Sequence, residues 1–474
     1  MVMSYIKGRD RNQILLFPEI VDDYINEENQ VRFIDAFVNN LKVNNFKYSE
    51  TKKCGRPPHD PKDILKLYIY GYLNGIRSSR KLEKETHRNV EIMWLIQKLT
   101  PDHKTIANFR KDNKDSIKQV FQEFTLICKN LKLFGCELIA VDGSKFAAVN
   151  SKKKAFTKDR IKEKLENIDK HIQDYFNELD KNDDEESDIH RPTKKELEET
   201  IKYLKDKQNE YQKLQEQLEN SGDTQICLTD PDSRMMKTVG GGRDVCYNVQ
   251  VAVDAEHNMI VEYDITNREN DLNELSNISI KAKESLGVDG LEVLADKGFY
   301  TNCEVKKCID NGITPYIPKP NSNIKGELFN KKKFNYDKEK DVYICPNNCE
   351  LRHRKNIKDK GMKIKIYQGK ACTSCAFKAK CTKNIKGRMV QRWEYEEIME
   401  EMEIRLKANQ EKFKKRQSTV EPVFGTLKRN FNQGYFLMKG ITKVDVEFGL
   451  SALAYNIKRA INELGIQKII QAMS

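Results

Sequence analysis

Two stretches of sequence decide the fold: Glu-Leu-Ile-Ala-Val-Asp at residues 137–142 and Leu-Glu-Val-Leu-Ala-Asp at residues 291–296. Each is a short, mostly apolar run that ends in an aspartate and continues into a glycine-containing turn. Such runs are typical of buried strands, so each strand is predicted to end in a carboxylate. Taken alone, each aspartate is an ordinary turn residue, and its significance depends on the elements around it.

The segments around these two runs predict a mixed α/β sheet. The predicted elements are, in order, strands at 137–142, 245–254 and 259–266, a helix from Asp271 to about Ser285, a strand at 291–295, a helix near 301–311 and a strand at 313–317. This order is that of an RNase H-like sheet, in which the first and fourth strands lie side by side. Asp142 and Asp296 are therefore expected at one edge of the sheet.

A third acid, Glu421, lies on a late helical segment. Residues 394 to about 417 are predicted to be helical, and Pro422 directly after Glu421 indicates a helix start or kink. From there Glu421 could reach the two aspartates. Three carboxylates held together repel one another unless protons or cations intervene. Oxygen ligands suit Mg²⁺ or Mn²⁺, and a pair of such ions supports phosphodiester cleavage and transesterification.

The chain resembles the DDE transposases of bacterial insertion sequences. Within the wide group similar to insertion sequence four, it is most similar to the type numbered eleven-eighty-two. The resemblance is carried by LFPEIVDDYI (16–25), GRPPHDPKDILKLYIYGYLNGIRSSRKLE (55–83), LTPDHKTIANFR (99–110), IAVDGSKF (139–146), DPDSRMMK (230–237), YNVQVAVD (247–254), LADKGFY (294–300) and STVEPVFGTLKRNF (418–431). These segments span nearly the whole sequence.

The resemblance implies roles for individual residues. Asp142 in IAVDGSK matches the first metal-binding aspartate of the family, Asp296 in LADKGF the second, and Glu421 in VEPVFG the glutamate. It also implies cleavage at the ends of an insertion sequence and transfer of 3′-hydroxyls to target DNA. The implied partners are the terminal repeats, the target DNA and a second copy of the chain, because two ends must be brought together.

The wider group has a Tyr-x2-Arg-x3-Glu-x6-Lys signature on the glutamate helix, and this chain matches it only in part. Lys428 fits the lysine position; two helical turns would put it on the face of Glu421, as a phosphate contact. Gln417 stands where the arginine is expected, and Arg416 comes one residue too early, so Arg416 is given no role. The candidate DNA contacts are Lys428, Arg429, Lys145 and Arg110.

The domain organisation predicted from these patterns has two interruptions of the catalytic core. The predicted units are an N-terminal all-helical, DNA-binding domain (1–135), an RNase H-like core (136–150 and 223–329), an inserted coiled-coil hairpin (151–222), a basic Cys-rich ribbon (330–392) and C-terminal helices of the core (393–474). The hairpin follows from apolar residues spaced four and three apart, from Ile161 to Leu179, and a second such series from Leu197 to Leu218. In the N-terminal domain, residues 102–110 fit a helix-turn-helix reading head or a purely structural helix.

Composition and charge restrict the class of protein. The 474 residues are 38% hydrophobic and 33% charged, without a membrane-spanning apolar run or an export signal, so we expect a cytoplasmic protein with no membrane partner. The net charge of +12 favours a polyanionic partner. Residues 350–392 carry 14 Lys/Arg against 2 Asp/Glu, and residues 145–164 carry 8 against 2. These are candidate phosphate tracks; the alternative is a solvated lysine-rich surface.

Five of the twelve cysteines cluster in the basic segment: Cys345, Cys349, Cys372, Cys375 and Cys381. In a reducing compartment such spacing indicates a metal site, and two close pairs about 23 residues apart are near the spacing of a zinc ribbon. Four thiolates would make a structural Zn²⁺ site, with Cys349 or Cys381 left over. The alternative is a set of reduced cysteines without metal.

Other signals are weaker. Gly240-Gly241-Gly242 lacks the lysine and the spacing of a phosphate-binding loop, so no nucleotide cofactor is expected. Four further aspartates compete for a metal role: Asp230, Asp232, Asp254 and Asp271. Capping and turn roles are expected for the first three. Two alternatives to a transposase remain open, a non-catalytic DNA-binding protein derived from one and an RNase H-like nuclease that only hydrolyses.

Overall fold

A computed structural model gives the fold. It describes residues 19–43, 45–47, 57–184, 194–238, 240–320, 328–359, 361–372 and 374–473. The sequence also predicts a charged connector at 182–188, between the two helical series of the hairpin. Most of it lies outside the described residues, as does the start of the LFPEIVDDYI segment.

Strands are concentrated in the middle of the chain. They are β1 (Leu138–Ala147), β2 (Ala155–Thr157), β3 (Gln225–Cys227), β4 (Arg234–Lys237), β5 (Arg243–Asp254), β6 (Ile260–Thr266), β7 (Leu291–Ala295), β8 (Ile313–Tyr316), β9 (Asn335–Asp337), β10 (Val342–Ile344), β11 (Glu350–Asp359), β12 (Met362–Gly369) and β13 (Met389–Trp393).

Helices form both ends of the chain and a long central pair. They are α1 (Gln30–Asn40), α2 (Pro61–Leu73), α3 (Ser79–Thr86), α4 (Val90–Leu95), α5 (His103–Asp112), α6 (Lys114–Asn130), α7 (Lys158–Asp184), α8 (Lys194–Ser221), α9 (Leu275–Leu286), α10 (Asn302–Asp310), α11 (Lys378–Cys381), α12 (Glu396–Ala408), α13 (Gln410–Gly425), α14 (Ile441–Leu464) and α15 (Ile466–Met473). Short 3₁₀ turns occur at Val21–Tyr24, Lys152–Lys154, Lys297–Phe299 and Lys331–Lys333, and a π-helical turn at Thr426–Asn430.

The central sheet has the order β6-β5-β1-β7-β8, and β4 pairs with the start of β5. β1 runs antiparallel to β5 and parallel to β7, and β7 runs parallel to β8. The mixed α/β architecture predicted from the sequence is therefore confirmed. The apolar residues of β1 and β7 are buried, as expected for strands in the middle of a covered sheet.

Three predicted element boundaries were wrong. β1 does not end at Asp142: it continues to Ala147 because β5 pairs with it as far as Cys246. The helix expected from Asp271 begins at Leu275, after a turn in which Asn273 has a φ of 67°. The helix expected from 394 to about 417 is two helices, α12 and α13, separated at Asn409.

The N-terminal helices share one continuous hydrophobic core with the central sheet and the C-terminal helices. α14 packs against α2, α6 and β6, and α15 packs against α1. A buried ion pair reinforces this contact: Arg77 Nη1 lies 2.9 Å from Glu447 Oε1, and both side chains are almost fully buried. The two ends of the chain are thus packed together around the sheet.

The two long helices α7 and α8 pack side by side. Their base is closed by the short β2–β3 ladder and by a separate small core of Phe156, Ile161, Leu214 and Leu218. Along the pair, Gln208 Nε2 donates a hydrogen bond to Asp169 Oδ1 at 2.5 Å.

A second sheet follows the central one, with the order β13-β12-β11-β10-β9 and antiparallel pairing throughout. Its own small core contains Phe334, Tyr343, Leu351, Tyr367 and Val390. Among the described residues, no helix is long and apolar enough to cross a membrane.

Candidate active site

Strand register brings Asp142 and Asp296 together. Val141 of β1 is paired with Ala295 of β7 in parallel, so Asp142 and Asp296 are the next residues on two adjacent strands. Neighbouring strands lie about 4.8 Å apart, and the two carboxylates interact electrostatically. The sequence prediction that both acids lie at one edge of the sheet agrees with this pairing.

The carboxyl group of Asp142 is half-buried and its pKa is raised to about 6. Burial is the largest cause, and the nearby charges of Asp296 and Asp271 add to it. Two contacts act in the opposite direction: the Arg416 guanidinium, with Nη1 3.4 Å from Oδ2, and the backbone N–H of Gly143, which donates to Oδ1 at 2.9 Å. The net result is a carboxylate that a further cation would stabilise.

Asp296 begins a 3₁₀ turn and accepts a hydrogen bond from the backbone N–H of Gly298 at 2.7 Å. A Cβ atom at residue 298 would lie 2.9 Å from Asp296 Oδ1, so any larger residue there would push this carboxylate away. The Asp-Lys-Gly sequence therefore fixes the orientation of this carboxylate locally.

Asp271 is a third acid near Asp142, and its sequence context predicted no more than a competitor for metal. Its Oδ1 accepts hydrogen bonds from Asn248 Nδ2 at 2.8 Å and Gln250 Nε2 at 2.7 Å, and Lys145 Nζ lies 3.5 Å away. A Cβ atom at Gly143 would meet this oxygen at 2.4 Å, so glycine there permits the approach. Spacing along the chain carried no signal for this contact, because Asp271 lies beyond β6 in a turn.

Glu421 lies on α13, which packs against β1, β5 and β7. A helix start or a kink was expected at Glu421, and the structure excludes the helix start: Glu421 is the twelfth residue of a helix that begins at Gln410, and Pro422 lies inside that helix. Its side chain is exposed. Across the described parts of the chain, no group of three or more His, Cys, Asp or Glu side chains is arranged to hold a metal ion. The structure thus brings the aspartates together and leaves Glu421 at the surface.

Of the two lysines among the predicted DNA contacts, Lys145 lies beside Asp271 and Lys428 lies against β1. Lys428 Nζ donates to Ser144 Oγ at 2.7 Å and to the Lys145 carbonyl at 2.9 Å, and lies over the Phe146 ring. Burial lowers the pKa of both Lys428 and Lys145. Lys428 was expected on the same helix face as Glu421, two turns away. A π-helical turn at Thr426–Asn430, within which Lys428 lies, changes the helical register. Lys428 faces β1.

The other two predicted contacts have different environments. Arg429 is exposed at the end of the π-helical turn. Arg110 is buried: its Nη1 donates to Tyr72 Oη at 2.8 Å and the guanidinium stacks on Tyr68. Arg110 therefore packs between helices and presents no charge at the surface, because α5 turns it toward α2.

Arg416 is the contact that sequence reasoning missed. It was left without a role because it stands one position from the family signature, yet it is the cation paired with Asp142. Arg416 and Val420 are four residues apart, and Val420 is buried in the same core that α13 joins to the sheet. This helical spacing would have placed Arg416 on the inner face of the helix.

The remaining competing aspartates have structural roles, as expected. Asp230 accepts hydrogen bonds from Tyr247 Oη and the Gly440 N–H, and Asp232 accepts from the Ile441 N–H at the start of α14. Asp254 accepts from three backbone N–H groups in and beside the β5–β6 turn.

The five clustered cysteines meet at one end of the second sheet. Cys345 and Cys349 flank the turn from β10 to β11, and the other three follow β12. Four of them line one small cavity: Cys345, Cys372, Cys375 and Cys381. All five are free thiols.

Two segments match known protein families. Residues 19–112 match a family model described as Transposase domain (DUF772), and residues 344–461 match one described as Transposase DDE domain. These matches indicate a DDE transposase. No curated protein and no solved structure matches the chain.

The two matches cover different parts of the chain. The first includes α1 to α5 almost completely, and the second extends from the cysteine cluster through Glu421 and Lys428 to α14. Asp142 and Asp296 lie between the matched segments. The second match thus contains α13, the helix on which Arg416 pairs with Asp142. Both aspartates come from adjacent strands of the sheet that lie outside the two matches.

Proposed function

We propose that this transposase cleaves DNA at the ends of an insertion sequence and joins the resulting 3′-hydroxyls to target DNA. The observation that carries the proposal is the pairing of β1 with β7, which sets Asp142 beside Asp296, with the Arg416 guanidinium against Asp142 and Lys145 near it. A metal-dependent phosphoryl transfer needs this combination of oxygen ligands and phosphate-binding cations.

The proposed ligands of Mg²⁺ (or Mn²⁺) are Asp142, Asp296 and Glu421. The donor set fits in its chemistry: burial raises the pKa of Asp142, the neighbouring acids add to this effect, and a hard cation would stabilise the charged carboxylate. Glu421 is exposed and has to turn toward the aspartates. When bound, the ions supply activation of a water or 3′-hydroxyl and stabilisation of the leaving oxygen.

The chain's own residues would orient the DNA. Lys428 and Lys145 stand beyond Asp142 along β1, where they would bind the phosphates that flank the scissile bond. Exposed Arg429 extends this cationic edge. Arg416 would hold Asp142 ionised until DNA and metal arrive.

Several finer features belong to the same proposal. The strand order β6-β5-β1-β7-β8 supports an RNase H-like core, and the quoted motifs support the eleven-eighty-two type. The N-terminal helices would bind terminal repeats, α7 and α8 would form a coiled-coil hairpin, and two copies would hold the two ends. The protein would act in the cytoplasm, at the bacterial DNA.

A strand-transfer assay with terminal-repeat DNA and Mg²⁺ tests the proposal. We expect cleaved and joined products from the wild type, and their loss in Asp142→Asn, Asp296→Asn and Glu421→Gln. Glu411→Gln is the matched control, since Glu411 is an exposed glutamate on the same helix. Products that are cut and never joined would support a nuclease instead, and DNA binding without cleavage would support a non-catalytic protein.

A further inference from the structure

The cysteine cluster lies outside the proposed active site, at the end of the second sheet. Leu351 at the start of β11 is paired with Gly369 at the end of β12. The turn that contains Cys345 and Cys349 and the turn that contains Cys372 and Cys375 are therefore neighbours. Four thiols from these turns and from α11 border a cavity of about 20 Å³.

We propose that Cys345, Cys372, Cys375 and Cys381 bind one Zn²⁺ ion in a structural site, and that Cys349 is not a ligand. Four thiols around one small cavity are the donor set that zinc takes in closed tetrahedral sites. This site is separate from the proposed active site, and none of the proposed magnesium ligands belongs to it.

Cys349 lies near Cys345, Cys372 and Cys375, but its contacts differ from those of the four thiols that line the cavity. Its side chain does not line the cavity, and its Sγ donates a hydrogen bond to the Asn347 carbonyl at 3.4 Å. Its backbone N–H donates to Cys345 Sγ at 3.3 Å. Such an N–H bond stabilises a thiolate, so the backbone at residue 349 supports the charged form of Cys345.

Two glycines make room for Cys372. A Cβ atom at Gly369 would lie 2.7 Å from Cys372 Sγ, and one at Gly387 would lie 2.7 Å from Cys372 Cβ. Gly387 also has a φ of 93°, which favours glycine. The backbone thus leaves a space for this thiol that any other residue at either position would fill.

Zinc binding would draw the four thiols closer together. Within the described residues they are not yet arranged to hold an ion, and Zn–S bonds are about 2.3 Å long. The gain is stability for a small sheet with few buried apolar residues, because metal binding free energy is also folding free energy. The ion would clamp the base of the β11–β12 hairpin, which carries much of the basic surface.

The test is the zinc content of the full chain, purified under reducing conditions and dialysed, with Ser variants of each cysteine. We expect one zinc ion per chain in the wild type and in Cys349→Ser, and zinc affinity weaker by about tenfold or more in the four ligand variants. The Co²⁺-substituted wild type should show the absorption bands of a tetrahedral thiolate site. Equal zinc loss in Cys349→Ser and Cys381→Ser would overturn the ligand assignment.

A second measurement needs no variant. A thiol reagent applied to the folded wild type should modify four more cysteines after a strong chelator has removed the zinc. A wild type that holds no zinc, that holds iron, or whose thiol reactivity is unchanged by chelation would overturn the site. Each of these outcomes is independent of DNA cleavage, so the zinc site and the transposase activity can fail separately.

Discussion

The substitution Asp142→Asn should stabilise the metal-free protein at neutral pH. The pKa of Asp142 rises from an ordinary value of 3.8 to about 6, chiefly through burial. Each tenfold change in proton affinity is worth about 1.4 kcal/mol, so the ionised carboxylate costs the folded state about 3 kcal/mol at pH 7.5. Asparagine keeps the shape of the side chain and carries no charge to desolvate.

The pH dependence has a defined sign. The folded chain binds the Asp142 proton more tightly than the unfolded chain, so stability decreases as the pH rises from about 4 through about 6. The advantage of Asp142→Asn should therefore be about 3 kcal/mol at pH 7.5, about half of that at pH 5, and near zero below pH 4. Urea unfolding in a chelator at the three pH values measures it.

Asp254→Asn is the matched control. Burial raises the pKa of Asp254 as well, but its carboxylate accepts three backbone hydrogen bonds, which an amide cannot all accept. This variant should lose stability at pH 7.5. If Asp142→Asn is destabilising in the chelator, or if its effect does not change with pH, then the electrostatic account of the acidic edge is wrong.

Three further predictions concern two residues of α14 and the arginine that pairs with Asp142. Glu447→Ala should cost about 3–5 kcal/mol in urea unfolding, because it leaves the Arg77 guanidinium buried without its partner. Gly449→Ala should cost about 1–3 kcal/mol, since the new Cβ would lie 2.3 Å from Tyr263 Oη in the core. Arg416→Ala should move the acid limb of the pH profile of DNA cleavage to higher pH, because the paired aspartate loses the cation that lowers its pKa.

Each of these has a comparison that makes it specific. Combining Glu447→Ala with Arg77→Ala should cost much less than the sum of the two single effects. Gly434→Ala should be nearly neutral, because no atom lies within 4 Å of a Cβ atom built there. An unchanged pH profile in Arg416→Ala would remove Arg416 from the electrostatics of the site.

Local sequence signals were sufficient wherever a residue acts on its own neighbours. Aspartate before proline is typical of a helix start, and α2 begins at Pro61 with Asp60 Oδ1 accepting from the Lys62 N–H. Asp102 similarly caps α5 through the Thr105 N–H. The apolar runs at 137–142 and 291–296 predicted both strands that carry the aspartates, because burial on both faces leaves a continuous hydrophobic signature.

Local sequence signals did not predict the contacts between segments that are far apart in the chain. Nothing in the spacing of residues places Asp271 beside Gly143. Helical spacing puts Arg416 on the inner face of its helix but does not say that it meets Asp142, because that contact depends on how the helix packs on the sheet. Arg110 was predicted to contact DNA, but it is buried against Tyr68 and Tyr72. The way the segments pack on one another, which the spacing of residues along the chain does not specify, decided each of these three contacts.

The sequence by itself determined the strands that carry the two aspartates, the capped helices and the grouping of the cysteines, since these follow from periodicity and from residues close in the chain. Only the tertiary structure decided which cation faces Asp142, where Glu421 points and which four thiols share a cavity. The physical reason is that side-chain environment depends on the packing of segments hundreds of residues apart, and charge and burial at a site are properties of that packing.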